Sequence, residues 1–472
     1  MKNRNLIVLL LCIAVVACKN KKQTLEDRDN NKKATKLEEL YSTEQTLDTI
    51  VPNLGIKYKE SRGIDPQHLP VVINIENSAE SNELDVNQFY TQVEYVKLKH
   101  PLAEEGVAFM GNSEYQITFE RGSQSGRGAN SRVYLSENCI VAGDNFFGYH
   151  CFDRDGKYVY TIAAKKEFPE FDVKNNRVSF QWSPSMEMIA GFSMMADNCL
   201  ITKYANQKGT FHFHNITSQK NYITRPASSG KSILLSPDTY IADMYHPFHT
   251  KQAAMAYVFD IKGDTLTQFM NYNPLFKEDK GSRTNPENSD FYYLGKKLTM
   301  RQAYNDTIYR VSADKLTPAF VLNLGSKKPD IQTALKGDKK GKIFIESLLE
   351  TDDFLFIIHT EDYDCPNNRN SGAVKFFYSY FDKKQGKRYS IPSAVFPEVF
   401  MLTNSNPEAI PLMISNAAVY KDNLYSSYTK TQLKEIMNST AFPSVPPEQQ
   451  EKLKSLHDEM TDYELLVMIL KK

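Results

Sequence analysis

Residues 137–162 read ENCIVAGDNFFGYHCFDRDGKYVYTI, and this stretch decides the fold. It holds three short runs of strand length and strand composition, at 139–142, 148–152 and 157–162. An Asp-Gly pair separates the last two runs, and glycine accepts the positive φ that a tight hairpin turn needs. The stretch therefore predicts a unit of consecutive antiparallel strands.

The start of this unit recurs along the chain, each time as a polar turn followed by an apolar run. The six matching segments are residues 138–141, 198–201, 238–241, 297–299, 353–356 and 423–425. Further runs of strand length follow in most repeats. Four short strands per repeat are typical of a β-propeller, whereas two sandwich domains would not keep one period through six cycles. The sequence predicts an all-β fold, a six-bladed β-propeller of four-stranded antiparallel blades.

The last repeat differs from the others because a polar insertion interrupts it. Residues 431–438 and 446–460 have a helix-like pattern, and an apolar run of strand length follows at 463–470. We expect this run to be the third strand of the last blade and residues 93–98 to be its fourth. Closure by the N- and C-terminal strands would remove sheet edges that otherwise invite aggregation. The sequence assigns no role to the insertion, nor to the polar stretch 106–130.

The N-terminus has the pattern of an export signal. Lys2 and Arg4 precede an apolar run at 6–16 that is too short to span a membrane. The following Val-Ala-Cys, which ends at Cys18, resembles the lipobox of bacterial lipoproteins. That resemblance implies cleavage of a signal peptide at 1–17 and acylation of Cys18, with the lipid bilayer as a partner.

Residues 19–60 are rich in Lys, Asn, Glu and Thr and poor in large apolar residues. Such composition buries too little surface to offset the entropy of ordering, so we expect a flexible tether at 18–68. The propeller would then occupy residues 69–472. The expected location is the cell envelope, by lipid anchorage at the outer membrane, on a side that the sequence does not define.

Several motifs are similar to those of one known group of proteins. They are residues 93–98, 152–157, 305–311, 318–325 and 465–471. With them, the chain resembles the uncharacterised six-bladed, NHL-like β-propeller lipoproteins of Bacteroidota. The resemblance covers nearly everything after residue 70 and implies a fold, but it carries over no catalytic residues.

Composition and cysteine use limit the function classes. Acidic and basic residues balance at 57 each, so the chain has no basic footprint for nucleic acid. Besides Cys18, four cysteines follow the signal peptide, at 139, 151, 199 and 365. Cys139 and Cys151 could face each other across one hairpin, but buried free thiols are the preferred interpretation.

Motifs for catalysis are scarce. The Gly-x-Ser-x-Gly elbow of hydrolases is absent from the sequence. His212 and His214 alternate along one run, and with His246, His249 and Asp243 they could hold zinc, but no compact ligand spacing supports this. We therefore expect no cofactor, no metal and no catalytic residues.

In a propeller, the loops between second and third strands and the connections between blades share one face. Aromatic and Arg side chains on that face can stack on sugars or anchor a protein. The predicted ligand-binding residues are Trp182, Tyr245, His246, Tyr272, Arg283, Arg301, Tyr304, Tyr363 and Arg369. The sequence thus favours a non-catalytic binding protein for a glycan or an envelope protein. The alternative is a metal-dependent hydrolase, lyase or lactonase with its site in the central channel.

Overall fold

The structure is a computed structural model, and it describes only some residues of the chain. These residues are 47–51, 59–61, 69–82, 84–101, 103–105, 109, 116–119, 132–144, 148–162, 170–172, 177–180, 189–196, 198–204, 211–224, 232–236, 239–243, 254–260, 264–270, 290–295, 297–302, 305–329, 340–362, 376–391, 401–402, 404–413, 417–440 and 442–472. The predicted signal peptide 1–17 and Cys18 lie outside them.

The described residues form mostly short β-strands. In chain order the strands are β1 (Leu47–Val51), β2 (Lys59–Ser61), β3 (Val71–Asn74), β4 (Glu80–Ser81), β5 (Gln92–Lys99), β6 (Gln116–Phe119), β7 (Arg132–Leu135), β8 (Cys139–Asp144), β9 (Gly148–Asp153), β10 (Tyr158–Ile162), β11 (Glu170–Asp172), β12 (Arg177–Phe180), β13 (Ile189–Ala196), β14 (Cys199–Tyr204), β15 (Phe211–Asn215), β16 (Asn221–Thr224), β17 (Ser232–Ser236), β18 (Thr239–Asp243), β19 (Ala254–Asp260), β20 (Thr265–Met270), β21 (Asp290–Leu294), β22 (Lys297–Arg301), β23 (Thr307–Val311), β24 (Leu316–Asn323), β25 (Ile343–Glu350), β26 (Phe354–Glu361), β27 (Phe376–Asp382), β28 (Lys387–Ser390), β29 (Met401–Leu402), β30 (Leu412–Met413), β31 (Ala418–Tyr420), β32 (Asn423–Thr429) and β33 (Glu464–Lys471). The α-helices are α1 (Lys430–Met437) and α2 (Pro447–Glu459).

Most strands belong to small antiparallel sheets that follow one another along the chain. We call these sheet 1 (β7–β10), sheet 2 (β13–β16 with β1), sheet 3 (β17–β20 with β2), sheet 4 (β21–β24 with β3), sheet 5 (β25–β28 with β4) and sheet 6 (β31–β33 with β5). Two smaller sheets are built from β6, β11 and β12 and from β29 and β30.

Neighbouring sheets pack face to face. An apolar cluster joins each of five neighbouring pairs of sheets. The following residues share a cluster: Val141 of sheet 1 and Leu200 of sheet 2; Val258 of sheet 3 and Met300 of sheet 4; Leu322 of sheet 4 and Ile345 of sheet 5; Phe356 of sheet 5 and Leu466 of sheet 6; Val467 of sheet 6 and Ile140 of sheet 1. Sheets 2 and 3 meet where β13 and β14 contact β17. The arrangement is all-β and propeller-like, as predicted.

The finer prediction, six like blades of four strands each, is not confirmed. Sheets 2 to 5 are four blades of one five-stranded kind, in which an N-terminal strand lies parallel to the outer strand of an antiparallel unit. Sheets 1 and 6 have four strands and lack a parallel one. The structure therefore shows four five-stranded blades, and not the predicted six four-stranded blades.

The parallel strands fall partly within the predicted tether. β1 pairs with β16 and β2 pairs with β20, although both lie in the stretch 18–68. A strand added at a sheet edge gains its hydrogen bonds from the backbone, so it needs no apolar pattern in its side chains. The composition of this stretch therefore does not exclude strands, and the structure has strands at 47–51 and 59–61 within it. The other residues of 18–68 lie outside the described residues, and their assignment to a tether stays a prediction.

The predicted pairing of the C-terminal strand with a strand near the N-terminus is confirmed. β33 lies between β32 and β5, and it pairs antiparallel with β5 along its whole length and with β32 from Leu465 to Leu470. The side chains of β33 from Leu465 to Leu470 are all buried, because sheet 6 is covered on both faces. By contrast, β24 alternates buried and half-buried residues, as expected for a strand near the outer rim of its sheet.

The predicted helix-like insertion is also confirmed. α1 and α2 interrupt sheet 6 between β32 and β33. Thr429 and Gln432 cap α1 reciprocally, and Leu433 and Leu453 bury the inner faces of the two helices against sheet 6. Of the described helices, neither has the length and hydropathy required to cross a membrane.

Candidate binding face

The two ends of each sheet differ in the length of their connections. At one end, which we call the turn end, first strands join second strands and third strands join fourth strands through two to five residues. At the opposite end, which we call the loop end, second strands join third strands, and one sheet leads to the next. These connections have three to 34 residues. The sheets are antiparallel, so each kind of connection keeps to its own end.

Short polar turns with a repeated pattern close the turn end. In sheet 1, the Asp153 carboxylate accepts hydrogen bonds from the backbone N–H groups of Asp155 (3.1 Å) and Lys157 (2.8 Å). In sheet 5, Asp382 accepts from Lys384 (2.9 Å) and Gln385 (2.8 Å) in the same way. These aspartates satisfy turn N–H groups, so their carboxylates have a structural role.

A buried ion cluster lies at the turn end between sheets 4 and 5. The Glu350 carboxylate is almost fully buried and accepts two hydrogen bonds from Arg310 (2.8 and 2.6 Å) and one from Lys383 (2.7 Å). Burial alone would raise the pKa of Glu350, but hydrogen bonds and charge from Arg310, with the charge of Lys383, bring that pKa below its ordinary value. The cluster fixes two neighbouring sheets and leaves no carboxylate oxygen for a ligand.

At the loop end, the described residues carry a group of part-exposed charges between sheets 4 and 5. We call the five residues Glu76, Asp306, Lys327, Lys328 and Glu361 the loop cluster. The Lys327 ammonium lies 3.1 Å from the Glu361 carboxylate, and the Lys328 ammonium lies 2.7 Å from the Asp306 carboxylate. These pairs are accessible to water, so a polar ligand can compete for them at small cost.

Glu76 ties the N-terminal segment to this cluster. Its carboxylate accepts hydrogen bonds from the Ser326 N–H (2.8 Å) and hydroxyl (2.6 Å), and these bonds lower the pKa of Glu76. The Lys342 ammonium donates to the Ser326 carbonyl at 3.0 Å. The turn that carries Lys327 and Lys328 is therefore held from two sides, which positions both ammonium groups.

Arg301 is the one residue of the predicted binding set within the described residues. It ends β22 at the loop end, and its side chain is only 2% exposed. The guanidinium donates to the Ile345 carbonyl of sheet 5 at 2.9 Å and to the Asn305 carbonyl at 3.4 Å. These contacts give Arg301 a part in joining sheets 4 and 5, and its part in ligand binding stays a prediction.

The other predicted binding residues lie outside the described residues. They are Trp182, Tyr245, His246, Tyr272, Arg283, Tyr304, Tyr363 and Arg369. By chain position, each falls in a connection of the loop end. Whether these side chains come together stays a prediction.

The proposed zinc ligands are only partly described. His212 and His214 both lie on β15, with their rings stacked at 6.2 Å. The His214 ring is 3.1 Å from the Thr202 hydroxyl, and burial lowers the pKa of His212 to about 3. Among the described residues, no three His, Cys, Asp or Glu side chains come close enough to hold a metal ion. His246 and His249 lie outside them.

The loop cluster is not among the binding residues predicted from the sequence. Glu76 and Ser326 are far apart in the chain, and no local pattern connects them. The adjacent Lys327 and Lys328 after a glycine were a visible signal for a positively charged turn at the end of β24. The motifs at 305–311 and 318–325 flank the cluster, but they were interpreted only as marks of the fold.

One protein family matches most of the chain. A family described as a domain of unknown function, DUF4933, matches residues 53–439, which is most of the chain. The chain belongs to the DUF4933 family. No curated protein matches this DUF4933 chain.

Two solved structures from Bacteroides species are among those that match this chain. A Bacteroides fragilis protein named as exported is 14% identical, with a TM-score of 0.55, and the match covers 86% of this chain and 100% of that one. A Bacteroides vulgatus member of another family of unknown function, DUF4221, is 10% identical, with a TM-score of 0.40 and coverage of 80% and 98%. At such identities, the first likeness supports the fold alone.

Proposed function

We propose that this DUF4933 protein is a non-catalytic, lipid-anchored binding protein of the cell envelope that captures its ligand at the loop end. The difference between the two ends of the sheets carries this proposal. Turn-end connections have two to five residues, and these residues form the turns of the hairpins. The 34-residue connection of the loop end forms α1 and α2, but the connections after β20 and β26 still have 19 and 14 residues, and long loops on a rigid scaffold are where binding sites concentrate.

A ring of six sheets is part of the same proposal. Sheets 1 and 6 would complete the ring with the four five-stranded blades, and this is supported by the packing of Val467 of sheet 6 with Ile140 of sheet 1. In such a ring, all loop ends would surround one central channel. NHL-like ancestry stays a prediction from the sequence motifs.

Export and anchoring rest on the N-terminal sequence. The apolar run before Cys18 and the resemblance to a lipobox support acylation of that cysteine. The structural neighbour named as exported is consistent with the same address. An acylated Cys18 would hold the binding face near a membrane, and the outer membrane is the membrane that we propose.

The chemistry of the loop cluster favours a glycan as the ligand. Asp306, Lys328 and Glu361 offer charged donors and acceptors at partial exposure. The exposed large apolar side chains of the described residues lie elsewhere, in outer strands or just before one, at Leu69, Val71, Val72, Val159 and Leu266. Sugar hydroxyls suit such polar groups, whereas the centre of a protein interface is more apolar.

A glycan array tests the proposal on residues 19–472. We expect at least one glycan to bind with millimolar affinity or better, a range in which small ligands commonly bind (about −4 kcal/mol at 1 mM). The double variant Lys327→Ala/Lys328→Ala should weaken binding about tenfold or more, since it removes two charged donors. The charge-matched control at the turn end, Lys384→Ala/Lys387→Ala, should bind like the wild type. The absence of any bound glycan would reject the glycan and leave a protein partner.

A further inference from the structure

Cys139 and Cys151 are free thiols on the neighbouring strands β8 and β9. Cys139 pairs with Asp153, and Val141 pairs with Cys151, so the two cysteines are diagonal neighbours on one face of sheet 1. Both are buried, at 7% and 3% exposure, in one apolar cluster between sheets 1 and 2. The preferred interpretation as buried free thiols is confirmed, and their diagonal placement makes them a pair.

The surroundings of the two thiols differ. The Cys139 sulfur lies 2.9 Å from the Ser136 hydroxyl, and the Arg154 guanidinium donates to the Ser136 carbonyl at 3.3 Å. The hydrogen bond from Cys151, then the Ser136 hydroxyl and the Arg154 charge, lower the pKa of Cys139, while its partner has a raised pKa. Cys139 is thus the thiol that ionises first, and the thiolate is the form that reacts.

We propose that Cys139 and Cys151 form a reversible dithiol–disulfide pair, which is oxidised by thiol–disulfide exchange with a disulfide-bearing oxidant. Cys139 loses its proton to solvent, and its thiolate attacks one sulfur of the oxidant, which releases the first thiolate. The Cys151 thiol then gives its proton to the released thiolate, attacks the Cys139 sulfur of the mixed disulfide and releases the second thiolate, which takes up a proton from solvent. Two electrons pass from the protein to the oxidant, and the oxidant leaves as two thiols.

The register indicates that this bond is labile. Diagonal neighbours in an antiparallel pair are about 7–8 Å apart, whereas a relaxed disulfide needs Cα atoms within about 7 Å. Closure must therefore draw β8 towards β9, and a strained disulfide is more easily reduced. Because both cysteines face sheet 2, closure would also alter the packing against Leu200 and Ile216.

Cys199 provides an internal control. It begins β14 in sheet 2 and is free, and burial raises its pKa to about 12. A general exposure of thiols would modify Cys199 as well, whereas the proposed chemistry leaves it reduced.

Mass spectrometry of the folded full-length chain tests the pair directly. Residues 133–154 hold both cysteines in one tryptic peptide, because no Lys or Arg lies between Arg132 and Arg154. After incubation with oxidised glutathione and alkylation in denaturant, we expect this peptide to have lost two hydrogen atoms and to carry no alkyl groups. Cleavage at Asp144 should leave the halves joined, and reduced glutathione should restore both thiols.

Variants separate reactivity from folding. Cys199→Ser should leave closure unchanged, and Ser136→Ala should slow it several-fold, because Cys139 loses a hydrogen bond that favours its thiolate. Two results on the wild type would overturn the proposal. One is two alkylatable thiols after oxidation of the folded chain under conditions that oxidise the unfolded chain. The other is a stable glutathione adduct on Cys139, since Cys151 would then fail to resolve it.

Discussion

The turn end and the loop end of the same sheets follow different rules. At the turn end, Asp153 and Asp382 bond to nearby N–H groups, and Glu350 is enclosed by Arg310 and Lys383. At the loop end, paired charges stay accessible to water, as those of Lys327 and Glu361 do. This difference indicates that the polar groups of the turn end stabilise the fold, whereas those of the loop end can bind a ligand. Substitutions at the two ends should therefore affect different properties.

The largest effect on stability is expected at Glu350. Glu350→Gln removes the one carboxylate that compensates Arg310 and Lys383, and breaking a buried ion pair costs about 3 kcal/mol. The free energy of unfolding from urea titration measures this loss. The matched loop-end variant Glu361→Gln breaks an accessible pair with Lys327 and should cost less than about 1 kcal/mol. Equal losses would erase the distinction between the ends.

A smaller loss is expected at a glycine of the turn end. Gly156 has φ of 85°, and a Cβ at this position would lie 2.4 Å from the Lys97 carbonyl oxygen of β5. Gly156→Ala should therefore cost about 2 kcal/mol, from backbone strain and from displacement of the strand that closes sheet 6.

Gly386 is the control for that substitution. It also has positive φ, 68°, but a Cβ there meets nothing within 4 Å. Gly386→Ala should cost only the conformational term, about 1 kcal/mol. Thermal unfolding of both variants compares the two, and a Gly156→Ala protein as stable as Gly386→Ala would show that β5 does not press on this turn.

Low pH should lower the stability of the protein through Glu350 at the turn end. The pKa of Glu350 is below its ordinary value of 4.5 in the folded protein, so its contribution is present above about pH 4.5 and is lost as the pH falls through the folded pKa. Urea unfolding at pH 6 and pH 3 should show a larger loss for the wild type than for Glu350→Gln. If the two proteins lose stability in parallel, the cluster does not contribute to acid sensitivity.

The smallest change in stability is expected for Lys328→Ala in the loop cluster. Its ion pair with Asp306 is part-exposed, and such pairs contribute about 0–1 kcal/mol. The melting temperature should stay close to that of the wild type, while affinity for a glycan identified on the array falls. A variant that loses stability but keeps its affinity would assign Lys328 to the fold.

The regular parts of the fold could be predicted from the sequence because their side chains carry the signal. The apolar run that became β33 and the helical pattern of α2 report their own burial. β2 and β4 could not be found, since Lys59–Ser61 and Glu80–Ser81 pair through the backbone and show no apolar period. Two of the four parallel strands therefore had no signature in composition.

The candidate site was harder to predict than the fold. Residue type suggested an exposed binding role for Arg301, yet the carbonyls of Asn305 and Ile345 receive its guanidinium in the interior. Which charges meet at the loop cluster depends on how the N-terminal segment passes sheet 4, and no local pattern encodes that path. The sequence could predict which end of the sheets would carry a binding site, but not which residues contact one another at that end.

Hydrogen exchange with and without a glycan identified on the array tests the central claim most directly. If the loop end is the binding face, amides at 301–306 and 324–329 gain protection with the glycan, while the turns at 153–157 and 382–386 do not change. Protection that appears at the turns, with the loop-end segments unaffected, would contradict the assignment of the binding face.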